Sequence, residues 1–357
     1  MGDSRTVLEV RDLDLSFRMP TGDVHAIRGV DFRLERNEVI ALVGESGCGK
    51  SITVKSIMGI LPENAVIHSG EVIYTSKDGN VDLLKQKPSW RQKHINGSEI
   101  AMVFQDPMTS LNPTMTIGAQ IILSIRSHDK ITKKEAYARS VELLREVGIT
   151  DPDRTMKQYP HQLSGGMRQR VVIAIALSCN PRVLICDEPT TALDVTIQDR
   201  ILELIQKIQR SRGISVIFIT HNLGVVAKIA DYVGVMYAGK IIEYGTVFDI
   251  FYNPRHPYTW GLLSAVPEVS DDKGDLYSIP GTPPNLAQEI VGDAFAPRNP
   301  YALAVDFKVE PPIFKLSKTH YVRSWLADER APKVEMPEAL KERIERMRQE
   351  GISYVKE

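Results

Sequence analysis

A glycine-rich segment that follows a short apolar run is the feature that most restricts the fold of this sequence. Val39–Val43 is continuously apolar, as in a strand buried on both faces of a sheet, and helix-compatible sequence lies beyond the glycines. The segment fits the pattern G-x-x-x-x-G-K-[ST], in which backbone N–H groups curl around phosphate oxygens. Lys50 adds positive charge and the Ser51 hydroxyl can ligate Mg²⁺. The pattern predicts a nucleotide site at Gly44, Glu45, Ser46, Gly47, Cys48, Gly49, Lys50, Ser51 and Ile52.

Further apolar runs alternate with helix-compatible sequence, which predicts an α/β fold with a mostly parallel core sheet. Two buried strands are expected at Val183–Cys186 and Ser215–Ile219. Near the N-terminus, alternating runs at Leu8–Phe17 and Val24–Leu34 flank the turn-rich residues 20–23 and predict an antiparallel hairpin. Helical periodicity replaces this pattern between about residues 115 and 160. Thr132 and Glu135 form a capping box there, which indicates a helical insertion in the core.

Polar side chains end several of the apolar runs, and the carboxyl ends of parallel strands meet at one edge of a sheet. Asp187 is placed to hold Mg²⁺, and Glu188 is placed to orient or deprotonate an attacking water. His221 can hydrogen-bond a γ-phosphate, and Gln105 can offer its amide oxygen to Mg²⁺ or to water. This convergence is what a phosphoryl-transfer site requires, and the predicted catalytic residues are Glu188, His221 and Lys50.

Composition excludes several other classes of protein. Lys and Arg number 44 against 45 Asp and Glu, so no global basic field exists to bind nucleic acid. The longest apolar run, Val171–Leu177, is far shorter than the ~20 residues that cross a bilayer. The first residues contain acidic side chains and no secretory signal, and three cysteines are too few for a disulfide framework. A cytoplasmic protein is expected.

The sequence Leu163-Ser164-Gly165-Gly166-Met167-Arg168-Gln169-Arg170 resembles the signature motif of ATP-binding cassette (ABC) ATPases. An N-capped helix start has the same geometry and is itself an anion site. The resemblance covers roughly residues 7–252 and implies that Ser164, Gly165 and Gly166 contact ATP held on a second subunit. It also implies further ATP contacts from Phe17, which would stack on adenine, Gln105, Asp194 and His221. Mg²⁺ would be held by Ser51, Gln105 and Asp187.

Downstream, Asn253-Pro254-Arg255-His256-Pro257-Tyr258-Thr259, with Pro267 and Ile279-Pro280-Gly281, resembles the C-terminal extension of oligopeptide/dipeptide ABC importer ATPases. The implied organisation is a nucleotide-binding domain at 1–252 with a helical subdomain at about 106–165, a small irregular domain at 253–334 and a helical tail at 335–357. The implied partners are a homologous ATPase subunit in a heterodimer, two transmembrane permeases and an extracytoplasmic solute-binding protein. Such ATPases work peripherally on the cytoplasmic face of the membrane. Peptides are the usual solute, although similar ATPases serve oligosaccharide and nickel importers.

Many members of this family carry four cysteines that hold an iron–sulfur cluster in the extension. The corresponding positions here are Asp293, Asn299, Asp306 and Ser324. Oxygen and amide groups do not replace thiolates on such a cluster, so none is expected. The alternative is a hard cation such as Ca²⁺ on the two aspartates.

Three other functions compete with a transporter ATPase. A soluble ABC ATPase acting on DNA or ribosomes is the main alternative, but neither a long inserted coiled coil nor a second cassette is present. A GTPase would need an Asn-Lys-x-Asp motif, which is absent, and a non-catalytic subunit would not be expected to keep both Glu188 and His221. In the tail, Leu340, Ile344 and Met347 form a narrow stripe that favours a solvated surface helix over a partner-binding one.

Overall fold

The computed structural model describes residues 5–20, 22–77, 79–191, 193–266 and 279–349. The strands are β1 (Thr6–Phe17), β2 (Val24–Glu35), β3 (Val39–Val43), β4 (Ala65–Ser76), β5 (Gly79–Asp82), β6 (Ile100–Val103), β7 (Val183–Asp187), β8 (Ser215–Ile219), β9 (Tyr232–Tyr237), β10 (Lys240–Thr246), β11 (Phe314–Lys315) and β12 (Tyr321–Val322). The helices are α1 (Lys50–Met58), α2 (Pro88–His94), α3 (Pro107–Ser110), α4 (Ile117–His128), α5 (Lys133–Glu146), α6 (Pro152–Thr155), α7 (Gly165–Ala176), α8 (Val195–Arg212), α9 (Leu223–Ile229), α10 (Val247–Tyr252), α11 (Pro257–Ser264) and α12 (Glu338–Gln349). The predicted α/β class, with an antiparallel N-terminal sheet, is confirmed.

The described residues divide into two compact units. The first contains those of Met1–Val7, Leu34–Glu38 and Tyr74–Ile219, and the second those of Leu8–Arg33, Val39–Ile73 and Thr220–Glu357. The predicted domain boundaries at 252/253 and 334/335 both lie inside the second unit. They remain predictions, as does the helical subdomain at about 106–165.

In the first unit, β6, β7 and β8 are parallel neighbours and every residue in them is buried. Burial on both faces explains why these strands are apolar without alternation. Helices α4, α5 and α7 pack together beside them. The capping box at Thr132 and Glu135 begins α5 as predicted, with Glu135 Oε2 2.8 Å from the Thr132 nitrogen. The apolar run Val171–Leu177 largely forms the second half of α7.

In the second unit, β3 runs parallel to β9, and β10 pairs antiparallel with both β9 and β12. The short strands β11 and β12 pair antiparallel and come from the proline-rich extension. One hydrophobic core joins Val43 and Tyr237 to the extension residues Tyr258, Trp260 and Phe295. The extension therefore completes the core of this unit rather than forming one of its own.

The interpretation of the tail as a solvated helix is wrong for its described part. Leu340 and Ile344 on α12 are buried in the core of the second unit, and Met347 packs against it. Arg343 donates to the carbonyls of Leu263 and Val266, at 2.9 and 2.8 Å. A narrow apolar stripe is therefore enough to dock this helix, because it meets a matching apolar surface. The predicted helical tail extended to residue 357, and residues 350–357 lie outside the described residues.

Candidate nucleotide site

The glycine-rich loop has a backbone that only glycine adopts without strain at three positions. Gly44, Gly47 and Gly49 have φ values of 148°, 80° and 107°. A Cβ atom at Gly44 would lie 2.2 Å from the Met236 carbonyl oxygen, and one at Gly49 would lie 2.8 Å from Cδ1 of Ile27. The loop therefore forms a backbone cradle whose packing excludes side chains, which fits a bound phosphate chain.

Lys50 begins α1 at the base of this cradle and is 5% exposed. Its Nζ donates to the carbonyl oxygens of Gly44 (2.8 Å) and Glu45 (3.0 Å). Burial raises the pKa of the neighbouring Cys48 thiol, which keeps it neutral. The ammonium group is therefore held inside the loop by the backbone that would bind phosphate.

Two more of the predicted residues, His221 and Phe17, belong to the same unit. The N–H of Thr220 donates to the Leu42 carbonyl oxygen at 3.3 Å, which places the following residue, His221, beside the end of β3. His221 is exposed, while Phe17 is half-buried at the end of β1. Their roles toward γ-phosphate and adenine stay predictions.

In the first unit, the structure brings Gln105 and Glu188 into contact. Asp187 is the buried last residue of β7, and Glu188 follows it with a left-handed backbone at φ 46°. Glu188 Oε2 accepts from Gln105 Nε2 at 3.2 Å and from Thr191 Oγ1 at 3.0 Å. A left-handed conformation at a residue other than glycine costs about 1 kcal/mol and is concentrated at functional sites. The pair predicted from separate apolar runs is thus one hydrogen-bonded group, and Thr191 is a member that no sequence signal indicated.

The two helix starts predicted from the signature motif and from Asp194 also lie in the first unit. Ser164 Oγ accepts from the Met167 N–H and caps α7, while Asp194 Oδ1 accepts from the Ile197 N–H and caps α8. A Cβ atom at Gly166 would lie 2.9 Å from Cγ2 of Ile197. The glycine at this position therefore permits the close approach of the two helix starts. Both caps are exposed, as an anion site for a ligand on another molecule requires.

Sequence reasoning missed the residues that hold Glu45. Its carboxylate accepts two hydrogen bonds from Arg298, and its backbone N–H donates to Tyr258 Oη at 2.9 Å. Both partners come from the extension. The motif around Tyr258 indicates only the family, and no local pattern connects Arg298 to a loop 253 residues earlier.

The four extension residues at the expected cysteine positions are all buried and each accepts a backbone N–H. Asp293, Asn299 and Ser324 accept from the residue two positions later, and Asp306 accepts from Leu303. Within the described residues, no group of three or more His, Cys, Asp or Glu side chains could hold a metal ion. Among the described residues, a Ca²⁺ ion on Asp293 and Asp306 would therefore find no third side chain of these types to bind it.

Burial raises the pKa of Asp293 to about 6, from an ordinary value of 3.8. The folded chain then keeps a proton that the unfolded chain releases, so this contribution to stability is full below pH ~4 and is lost as the pH rises through ~6. We expect Asp293→Asn, which can still accept the Phe295 N–H, to be the more stable chain at pH 7.5, by up to roughly 3 kcal/mol. The difference should shrink as the pH is lowered to 5.

Calorimetric melting of both chains across this pH range checks the prediction. Asp23→Asn, at an exposed position of the same unit, is the control and should not change the melting temperature. A stabilisation that is independent of pH would contradict the prediction.

Comparisons with known proteins agree with this geometry. A family model described as ABC transporter matches residues 27–191, and one described as Oligopeptide/dipeptide transporter, C-terminal region, matches residues 242–305. The oligopeptide transport ATP-binding protein OppD of Bacillus subtilis (strain 168) is 54% identical over 96% of this chain and 94% of its own length. The dipeptide transport ATP-binding protein DppD of Lactococcus lactis subsp. cremoris (strain MG1363) is 54% identical over 92% and 93%.

Among solved structures, the bacterial ABC transporter cassette MJ0796, determined as a dimer, superposes with a TM-score of 0.58 at 25% identity. The superposition covers 67% of this chain and 98% of the MJ0796 chain. The fold, the phosphate loop and the capped signature helix define an ABC transporter ATPase, a class that binds ATP. Within that class, the chain belongs to the family of oligopeptide and dipeptide transport ATP-binding proteins.

Proposed function

We propose that this chain is the ATP-hydrolysing subunit of an importer for oligopeptides or dipeptides. The observation that carries the proposal is near full-length identity above 50% to proteins whose names specify oligopeptide or dipeptide transport. The match of residues 242–305 to the C-terminal region of such transporters supports the same solute class. These relatives favour transport over the alternative of a soluble ATPase acting on DNA or ribosomes.

The proposed reaction is attack of water on the γ-phosphorus of ATP, which breaks its bond to the β–γ bridging oxygen and releases ADP and phosphate. Glu188 takes the proton of the attacking water, and its contacts with Gln105 and Thr191 orient the carboxylate. Lys50 and the loop N–H groups stabilise charge on the phosphate oxygens. His221 would hydrogen-bond the γ-phosphate, and Phe17 would stack on adenine.

The oxygen donors Ser51, Gln105 and Asp187 are of the chemical type that Mg²⁺ prefers. When bound, the ion would neutralise charge on the β- and γ-phosphate oxygens. Asp187 fits this role because its buried carboxylate ends β7, and the carboxyl ends of parallel strands are where such sheets bind their ligands.

Two such cassettes would sandwich two ATP molecules head to tail. The phosphate loop of one chain and Ser164, Gly165 and Gly166 of the other would each contact the same nucleotide, with Asp194 beside them. The exposed caps of α7 and α8 support this arrangement, as does the dimeric state named for the similar cassette MJ0796. The second chain would be a homologous ATPase, giving a heterodimer.

The cassette pair would dock on two transmembrane permeases at the cytoplasmic face of the membrane, served by an extracytoplasmic solute-binding protein. In the described residues, no helix has the length and apolar character to span a bilayer. Exposed apolar side chains next to Gln105 in the sequence offer a docking surface: Phe104 is 40% and Met108 59% exposed. When ATP binding brings the two cassettes together, a shift at Gln105 would move this surface and the attached permease.

Copurification from native membranes tests this function. The tagged full chain should recover two permeases, a second ATPase and a solute-binding protein whose retained ligand is a peptide. Retained oligosaccharide or nickel would contradict the solute, and recovery with ribosomes or DNA would contradict transport.

We also propose that the extension binds no iron–sulfur cluster. The side chains at the four positions supply oxygen, not sulfur, and each already accepts a backbone N–H. Iron and sulfide analysis of anaerobically purified protein should find neither in stoichiometric amount. The variant with cysteine at all four positions is the matched control for cluster recovery during purification. Stoichiometric iron and sulfide in the unchanged chain would overturn the proposal.

A further inference from the structure

Glu45, in the phosphate loop, is bound by hydrogen bonds from three directions. Its carbonyl oxygen accepts from Lys50 Nζ, and its N–H donates to Tyr258 Oη. Its carboxylate receives Arg298 in a two-point contact, with Nη1–Oε2 at 2.6 Å and Nη2–Oε1 at 3.0 Å. Two of these three partners belong to the C-terminal extension, so the extension fixes the backbone and the side chain of a loop residue.

Arg298 is built to hold one orientation. Its side chain is 4% exposed, and its other contacts are to Tyr237 Oη (3.3 Å), Pro280 O (2.8 Å) and Ile279 O (3.2 Å). A guanidinium has five N–H donors. The two contacts to Glu45 and these three others use all of them. The carboxylate of Glu45 raises the pKa of Arg298, so the guanidinium stays ionised. A bidentate charged pair of this kind fixes geometry as well as supplying energy.

The segment that carries Arg298 is itself held by Asp293 and Asn299, two of the residues that stand where many family members have cysteine. Arg298 ends a 3₁₀ turn, Ala296–Arg298. Asp293 Oδ1 accepts the Phe295 N–H before the turn, and Asn299 Oδ1 accepts the Tyr301 N–H after it. The polar side chains therefore order the turn that presents the guanidinium to the loop.

We propose that Arg298 and Tyr258 are positioning residues that preorganise the phosphate loop for ATP. Without them, the loop would have to be ordered when the nucleotide binds, and part of the binding free energy would be lost to that ordering. The extension thus acts on the nucleotide site through Glu45, and neither residue touches the reacting atoms.

Arg298→Lys and Tyr258→Phe test the proposal with small changes. Lysine keeps the charge but not the two-point contact, and phenylalanine keeps the ring but not the hydroxyl. Arg343→Lys is the matched control, since Arg343 joins α12 to the same extension through backbone carbonyls away from the loop. Two readouts that need no hydrolysis are used on the full chain: the Kd for ATP, and amide hydrogen exchange of residues 44–51 without nucleotide.

Each test variant should raise the Kd for ATP by about five- to tenfold, the loss expected for one buried charged or constrained hydrogen bond. Exchange within residues 44–51 should rise selectively, while the control changes neither quantity. An unchanged Kd and unchanged loop exchange in both folded variants would overturn the proposal. So would exchange that rises equally across the whole unit, because that pattern marks a structural role only.

The inference rests on ATP binding at this loop. Titration of the unchanged chain with ATP separates the two possible failures. No binding by the unchanged chain would overturn the premise, whereas normal binding with unaffected variants would overturn only the role of Arg298 and Tyr258.

Discussion

Replacement of Glu188 by glutamine is expected to lower ATP hydrolysis by about 10²- to 10⁴-fold, the range that a general base contributes. Glutamine has the same shape, and its amide oxygen can still accept from Gln105 Nε2 and Thr191 Oγ1. It cannot take a proton from water at neutral pH. ATP binding should therefore be retained, because the phosphate loop, including Lys50, is unchanged.

Phosphate release and the Kd for a fluorescent ATP analogue measure the two effects separately. Glu203→Gln, on an exposed position of α8, is the control and should leave both unchanged. Thr191→Val supplies a graded test: it removes one hydrogen bond to Glu188 and should slow hydrolysis less than Glu188→Gln does. Undiminished hydrolysis in Glu188→Gln would remove the general-base role.

Elements with local signals could be predicted closely from the sequence. Strands β3 and β8 have the predicted bounds, and β7 is one residue longer than expected, because apolar runs buried on both faces stand out from their surroundings. The start of α5 was predicted because a capping box is a property of four consecutive residues. The phosphate loop belongs to the same class of feature, since its glycines are required by the backbone at each position.

Contacts between distant segments could not be predicted in this way. The stripe of α12 is too short to distinguish a docked helix from a solvated one, and the surface that buries Leu340 exists only once the second unit has folded. The same reason hides the link from Arg298 to Glu45. The left-handed backbone of Glu188 could not be predicted either, because the only local signal there is the end of the strand.

The extension combines features with a local sequence signal and contacts between distant segments. The resemblance implies a small irregular domain at 253–334, and the polar residues where many family members have cysteine predict that it binds no cluster. Only the structure shows that Tyr258, Trp260 and Phe295 share a core with Val43, next to the phosphate loop. The extension is thus part of the packing around the strand that leads into the phosphate loop.

Replacement of Lys50 by alanine should weaken ATP binding itself, which distinguishes it from Glu188→Gln. The ammonium is buried within the loop, where its charge is screened less than at the surface. Loss of a charge-assisted contact to phosphate should raise the Kd by about 10- to 100-fold. Removal of the ammonium also takes one hydrogen bond from each of the carbonyls of Gly44 and Glu45, so their partial negative charge is no longer offset by Lys50.

Calorimetric titration with ATP gives the Kd, and the rise in melting temperature on adding ATP provides an independent measure of it. Lys55→Ala, in the same helix α1, is the matched control and should keep both values. Lys50→Arg restores the charge in a different shape, so it separates the electrostatic contribution from the fit of the ammonium in the loop. Unchanged ATP affinity in Lys50→Ala would mean that the nucleotide does not bind at this loop, and the roles proposed for Ser51, Glu45 and Arg298 would fail with it.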